Sequence, residues 1–89
     1  MKQRKKVLIV DEEVDLSLLM KTYFLRKNYE VYMAHNFEDC LAQAKEQQPN
    51  FIFIEVAMCQ NPREDLKRLE AVAPTAEIHS IYSNIPGRY

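Results

Sequence analysis

Gln48-Pro49-Asn50-Phe51-Ile52-Phe53-Ile54-Glu55 decides the fold of this 89-residue chain. Pro49 and Asn50 break whatever precedes them, and four aromatic and β-branched residues then run to an acidic end. Phe and Ile alternate, so Phe51 and Phe53 point to one side of a sheet and Ile52 and Ile54 to the other. A strand that is apolar on both faces needs a layer over each, the mark of a central parallel strand.

Upstream, Val7-Leu8-Ile9-Val10 is a second such run, ending at Asp11-Glu12-Glu13. Residues 14–27 carry Leu16, Leu19, Met20, Tyr23 and Phe24 at helical spacing. Asn28, which tolerates the left-handed conformation, is a natural stop. Glu30-Val31-Tyr32-Met33-Ala34 reads as a weaker strand. Asn36 followed by Asp39 resembles a capping box, opening a helix over 37–47 with Cys40, Leu41 and Ala44 on its inner face. A third helix over 63–72 carries Leu66, Leu69 and Val72. Pro74 ends it, and Glu77 to Tyr82 makes a fourth strand. Strands alternating with helices of this length predict an α/β, doubly wound parallel sheet with right-handed crossovers, forming one domain over 1–89.

Composition narrows the function classes. Hydrophobic residues make up 47% of the chain, enough for a core. Twelve Lys and Arg face 13 Asp and Glu, so net charge draws the chain to neither nucleic acid nor an anionic membrane, and leaves self-association unopposed. The basic start Lys2-Gln3-Arg4-Lys5-Lys6 abuts a strand directly and reads as a solvated terminus rather than a nucleic-acid arm. The sequence shows neither a signal peptide nor a membrane span, and Cys40 and Cys59 match no redox or zinc spacing. A cytoplasmic protein with reduced thiols is expected. Gly87 is the single glycine, which argues against a glycine-rich phosphate cradle.

Up to about Ser83 the chain resembles the first two-thirds of a response-regulator receiver domain. The residues that carry the resemblance are Lys6-Val7-Leu8-Ile9-Val10-Asp11-Glu12-Glu13, Asn28-Tyr29-Glu30-Val31, Gln48 through Met58, and Ala76 to Ser83. It implies a sheet of about four strands in the order 2-1-3-4, with the family's fifth strand and last helices missing. It also implies an acidic pocket at the strand ends for a divalent cation, with no cofactor certain and Mg²⁺ the possible one. Asp11 and Glu12 fall on the family's acidic pair, Ala57 on the metal-binding carbonyl, and Glu55 on the phosphoacceptor aspartate. The switch hydroxyl falls on Tyr82 or Ser83.

Two departures weigh on what the resemblance implies. Glu55 is longer than aspartate by one methylene, about 1.5 Å, a displacement that can cost on the order of 100-fold in a positioned reaction. It is either a fixed mimic of the phosphorylated state or a strand-end carboxylate in a decayed site. The family's fifth-strand Lys has no counterpart here, Arg88 being the late cation, so a phosphoryl group would lack its counter-ion. The chain is either a miniature or a piece of a longer one.

An open fourth strand and a bare sheet face predict a homodimer or protein-partner surface drawn from Phe51, Phe53, Ile78, Ser80 and Tyr82. A histidine kinase is a possible partner. Met58, Cys59 and the Tyr82 neighbourhood form either a partner groove or core packing. His35 and His79 with Cys59 lack metal-ligand spacing. Cys40 should be inert, and Cys59, in a loop, reactive.

The expected function is an atypical receiver-like signalling module that acts by protein–protein interaction or dimerisation, without normal aspartyl phosphorylation and without enzymatic activity. One alternative is a working phosphoacceptor that uses Glu55 or a partner chain's Lys. Another is a metal-dependent hydrolase built on the three carboxylates.

Overall fold

The computed structural model describes residues 4–82. The Phe-Ile run forms strand β3 (Phe51–Glu55). It lies in a four-stranded sheet with β1 (Lys6–Val10), β2 (Glu30–Ala34) and β4 (Glu77–Ile81). The spatial order is β2-β1-β3-β4 and every pairing is parallel. Each strand is reached through a helix: α1 (Val14–Arg26), α2 (Phe37–Gln47) and α3 (Pro62–Val72). This is the expected α/β architecture and strand order.

The alternation read in β3 sets two different faces. Register pairs Leu8 with Ile52 and Tyr32, and Ile52 with Ile78. Leu8, Val10, Ala34, Ile52 and Ile54 form the main core with Cys40, Ala44 and Leu69 of the α2 and α3 layer. Phe51 and Phe53 lie on the α1 side, register-matched to Val7, Ile9, Glu77 and His79. Val7 and Ile9 are fully buried there, whereas Phe51 and Phe53 are half-buried.

Side chains fix the ends of the helices. Asn28 stands at φ 66°, the left-handed stop expected after α1. Asn36 Oδ1 accepts from the Asp39 amide at 2.8 Å, closing one half of the anticipated box. Asn61 does the same for α3, accepting from Glu64 N–H, with Pro62 in the first turn. That cap places the start of α3 one residue ahead of the expected 63. Gln48 is also left-handed, at φ 46°. Its Nε2 donates to the carbonyls of Ala44, Lys45 and Val72, which ties α2 to α3. Asn50 knits the lower end of three strands. Its side chain accepts from Lys6 N–H, its own N–H donates to the Lys6 carbonyl, and its carbonyl accepts from Glu77 N–H.

Three expectations need correction. Leu19 and Tyr23 share the helical spacing of Leu16, Met20 and Phe24, yet they are 69% and 55% exposed, because only one side of α1 meets the sheet. The fourth strand stops at Ile81, leaving Tyr82 outside it and 72% exposed. Cys59 follows a short 3-10 turn, Val56–Met58, that folds it back against the core. Burial pushes its thiol pKa up, with Asp65 adding to the effect, so the thiolate a reactive cysteine needs is disfavoured. Cys40 is inert as expected, its pKa pushed up to about 12 by burial first and by Cys59 and Asp39 second.

Candidate functional site

The C-terminal ends of parallel strands are where an open α/β sheet gathers functional side chains. Val10 pairs with Ile54, so Asp11, directly after β1, and Glu55, the last residue of β3, occupy neighbouring positions at that edge. Both are buried, at 2% and 4% exposure. Asp11 is held on three sides. Its N–H donates to the Ala34 carbonyl at 3.1 Å, its Oδ1 accepts from Glu13 N–H at 2.8 Å, and its carbonyl accepts from His35 Nδ1 at 2.8 Å. Its Oδ2 is buried and lacks a hydrogen-bond partner among the described residues. A charged oxygen left so is costly to a fold and invites a ligand role.

Glu55 bends back on its own chain. Oε1 accepts from Ala57 N–H at 3.1 Å and so caps the turn Val56–Met58. Asp11 makes the same kind of bond to the amide two residues on, so each of the two carboxylates caps the turn that follows it. Ala57 is exposed, as is Glu12. Glu12 therefore does not join the two buried carboxylates, and among the described residues no three His, Cys, Asp or Glu side chains converge as a metal site. The three-carboxylate grouping anticipated from sequence resolves into a buried pair and an outlying third. His35 and His79 likewise do not come together with Cys59.

His35 is a further contributor to the site. A carbonyl can only accept, so the bond to Asp11 requires the proton on Nδ1. This bond joins the end of β2 to the β1–α1 connection that carries the acidic pair. The sequence offered no signal for it beyond a histidine directly after a strand.

The residues anticipated as a dimer surface divide between the two sheet faces. Phe51 and Phe53 lie on the α1 side, where His79 stacks on Phe53 with centroids 4.9 Å apart. Ile78 and Ser80 share the opposite face with Ile52 and Ile54, and Ile78 packs on the main core. Tyr82 stands free of the strand, and Ser83 and Arg88 lie outside the described residues. A cleft between the N-termini of α2 and α3 is lined by Phe37, Met58, Asn61, Asp65 and Arg68, without Tyr82 or Cys59. The basic start is engaged locally: Lys6 Nζ donates to the Gln47 carbonyl at 3.2 Å, and Lys5 lies over the Phe51 ring. Among the described residues no helix is long and apolar enough to cross a membrane.

Neither a family model nor a curated protein matches the sequence. Solved structures do match. One is a response regulator from Burkholderia pseudomallei with a phosphorylated aspartic acid, calcium ion and citrate. It aligns at TM-score 0.82 and 21% identity over 91% of this chain and 48% of its own. A CheY-like receiver domain from Methanospirillum hungatei aligns at TM-score 0.79 and 20% identity, covering 93% of this chain and 69% of that one. The chemotaxis protein CheY4 of Vibrio cholerae gives 0.78 and 22%, covering 88% and 68%. The chain thus spans about half the length of the first protein and about two-thirds of the other two. Sheet order, crossovers and the three helices together make this the CheY-like receiver fold of response regulators.

Proposed function

We propose that the chain is an atypical receiver-like signalling module that works by protein association, without normal aspartyl phosphorylation. The observation that carries the reading is Glu55, standing where the family's phosphoacceptor aspartate would be and engaged through Oε1 with the Ala57 amide. In-line attack on a phosphoryl donor needs a carboxylate oxygen held at one place. A carboxylate one methylene longer, with one oxygen used to cap a turn, is badly placed for that attack. The same group keeps negative charge fixed at the strand ends, which favours a module locked in one signalling state. The reading assigns it no enzymatic role.

A divalent cation fits this site in part. Asp11 and Glu55 would supply carboxylate oxygens and Ala57 a backbone carbonyl, the hard oxygen donors that Mg²⁺ and Ca²⁺ prefer. The orphaned Asp11 Oδ2 speaks for it and the outlying Glu12 against tight binding. A bound cation would neutralise the paired carboxylates. With Glu12 exposed, affinity should be weak, about millimolar at best, and calorimetric titration with Mg²⁺ and Ca²⁺ measures it. The upstream partner we propose is a histidine kinase.

Incubation with acetyl phosphate and Mg²⁺, followed by intact-mass spectrometry, tests the reading. The chain is expected to keep its mass. Gain of one phosphoryl group, lost in Glu55→Gln, would make Glu55 a working acceptor and overturn it.

A further inference from the structure

Exposed large apolar side chains are concentrated, among the described residues, on one helix. Among the described residues six large hydrophobic side chains are exposed, and five of them, Val14, Leu18, Leu19, Tyr23 and Leu25, belong to α1. Ser17, Met20 and Phe24 form the side of α1 turned to the sheet. Away from it, Asp15, Leu18, Leu19, Thr22 and Arg26 recur at i, i+3, i+4, i+7 and i+11, so they share one outward face. That face is apolar along its middle, acidic in its first turn and basic in its last.

We infer that this outward face of α1 is a homodimer surface, on which a second copy of the chain lays its own α1 antiparallel. The charge pattern selects both occupant and direction. About a twofold axis midway between Met20 and Lys21, Asp15 of each copy meets Arg26 of the other, Leu18 meets Tyr23, and Leu19 meets Thr22. A parallel arrangement would oppose Asp15 to Asp15 and Arg26 to Arg26, which repel. Isologous contact requires a self-complementary patch, and an apolar strip with opposite charges at its two ends is one. Overall charge, 12 basic residues against 13 acidic, adds little repulsion between copies. One helix against another buries less than the roughly 1,200 Å² of a standard stable interface, so the dimer is weak and forms at high micromolar concentration. The inference deepens the association reading above by naming partner and surface, and it does not depend on the state of Glu55.

Sedimentation equilibrium of the full 89-residue chain from about 10 to 500 µM tests it, with circular dichroism as the folding control. Leu18→Glu, at a half-exposed site, should keep the fold and weaken association at least about tenfold. Asp15→Arg and Arg26→Asp should each weaken it about threefold to fivefold, and the double variant should restore it, since the pairs are re-formed with signs exchanged. Ile81→Lys, on the open strand β4, should leave it unchanged. A chain monomeric at the top of the range overturns the proposal. So does a dimer indifferent to Leu18→Glu or one lost in Ile81→Lys, which would put the contact on the sheet edge. Phosphorylation of Glu55, read separately by mass, would alter the signalling assignment and leave this result standing.

Discussion

Strand β3 has neighbours in two different environments. Ile52 and Ile54 are fully buried beneath α2 and α3, while Phe51 and Phe53, one residue away on the other face, are half-buried beside α1. Among the described residues two helices cover the first face and one covers the second, where His79 stacks on Phe53. The difference sets a closed face against a partly covered one. The α2 and α3 face is a closed core of small and branched side chains. The α1 side carries larger aromatic groups that reach solvent, and its helix turns further apolar residues outward.

Substitutions should separate the faces by size of effect. Ile52→Ala should cost about 2–5 kcal/mol in urea unfolding, the range for a buried aliphatic truncation. For a domain with only about 5–10 kcal/mol in hand, that is a large part of its stability. Phe53→Ala removes more atoms but from a half-covered site, and should cost about 1–2 kcal/mol. Equal losses at the two positions would mean that the second face is closed in solution. Gln48→Ala should cost about 1 kcal/mol by releasing the carbonyls of Ala44, Lys45 and Val72 to water. Tyr23→Ser, on the exposed side of α1, should fall within about 0.5 kcal/mol at low protein concentration.

Alkali should also weaken the closed face. A thiol is charged only when deprotonated, and burial holds the Cys40 proton up to about 12 against 9.0 for the free group. The folded state therefore binds more protons than the unfolded one between those values. The resulting stability is complete below pH about 9 and declines as pH rises toward 12. The urea midpoint of the wild type should be lower at pH about 10 than at pH about 7, and the drop should be smaller in Cys40→Ala.

Much of this was legible in sequence because the signals were local. Alternation in Phe51 to Ile54 gave the two faces, and Asn28, Asn36 and Pro49 marked breaks whose chemistry depends on one or two residues. Asp11 and Glu55 were legible as strand-end carboxylates. What escaped depends on distant chain. Leu19 and Tyr23 have the period of a buried face, yet periodicity does not tell how wide a strip the sheet will cover. Cys59 looked like a loop residue until the turn after β3 folded it inward. Glu12 follows Asp11 directly in sequence, yet Asp11 is buried and Glu12 exposed, and the bond from His35 to the Asp11 carbonyl spans 24 residues.

The proposed function requires that the acidic site of this receiver fold does not switch. Amide NMR spectra of the full chain, recorded with Mg²⁺ and then with added beryllofluoride, test it most directly. The account predicts at most small shifts near Asp11 and Ala57 with Mg²⁺, and none added by beryllofluoride. Beryllofluoride-dependent shifts that begin at Glu55 and Ala57 and spread into β4 would show a working switch and contradict it.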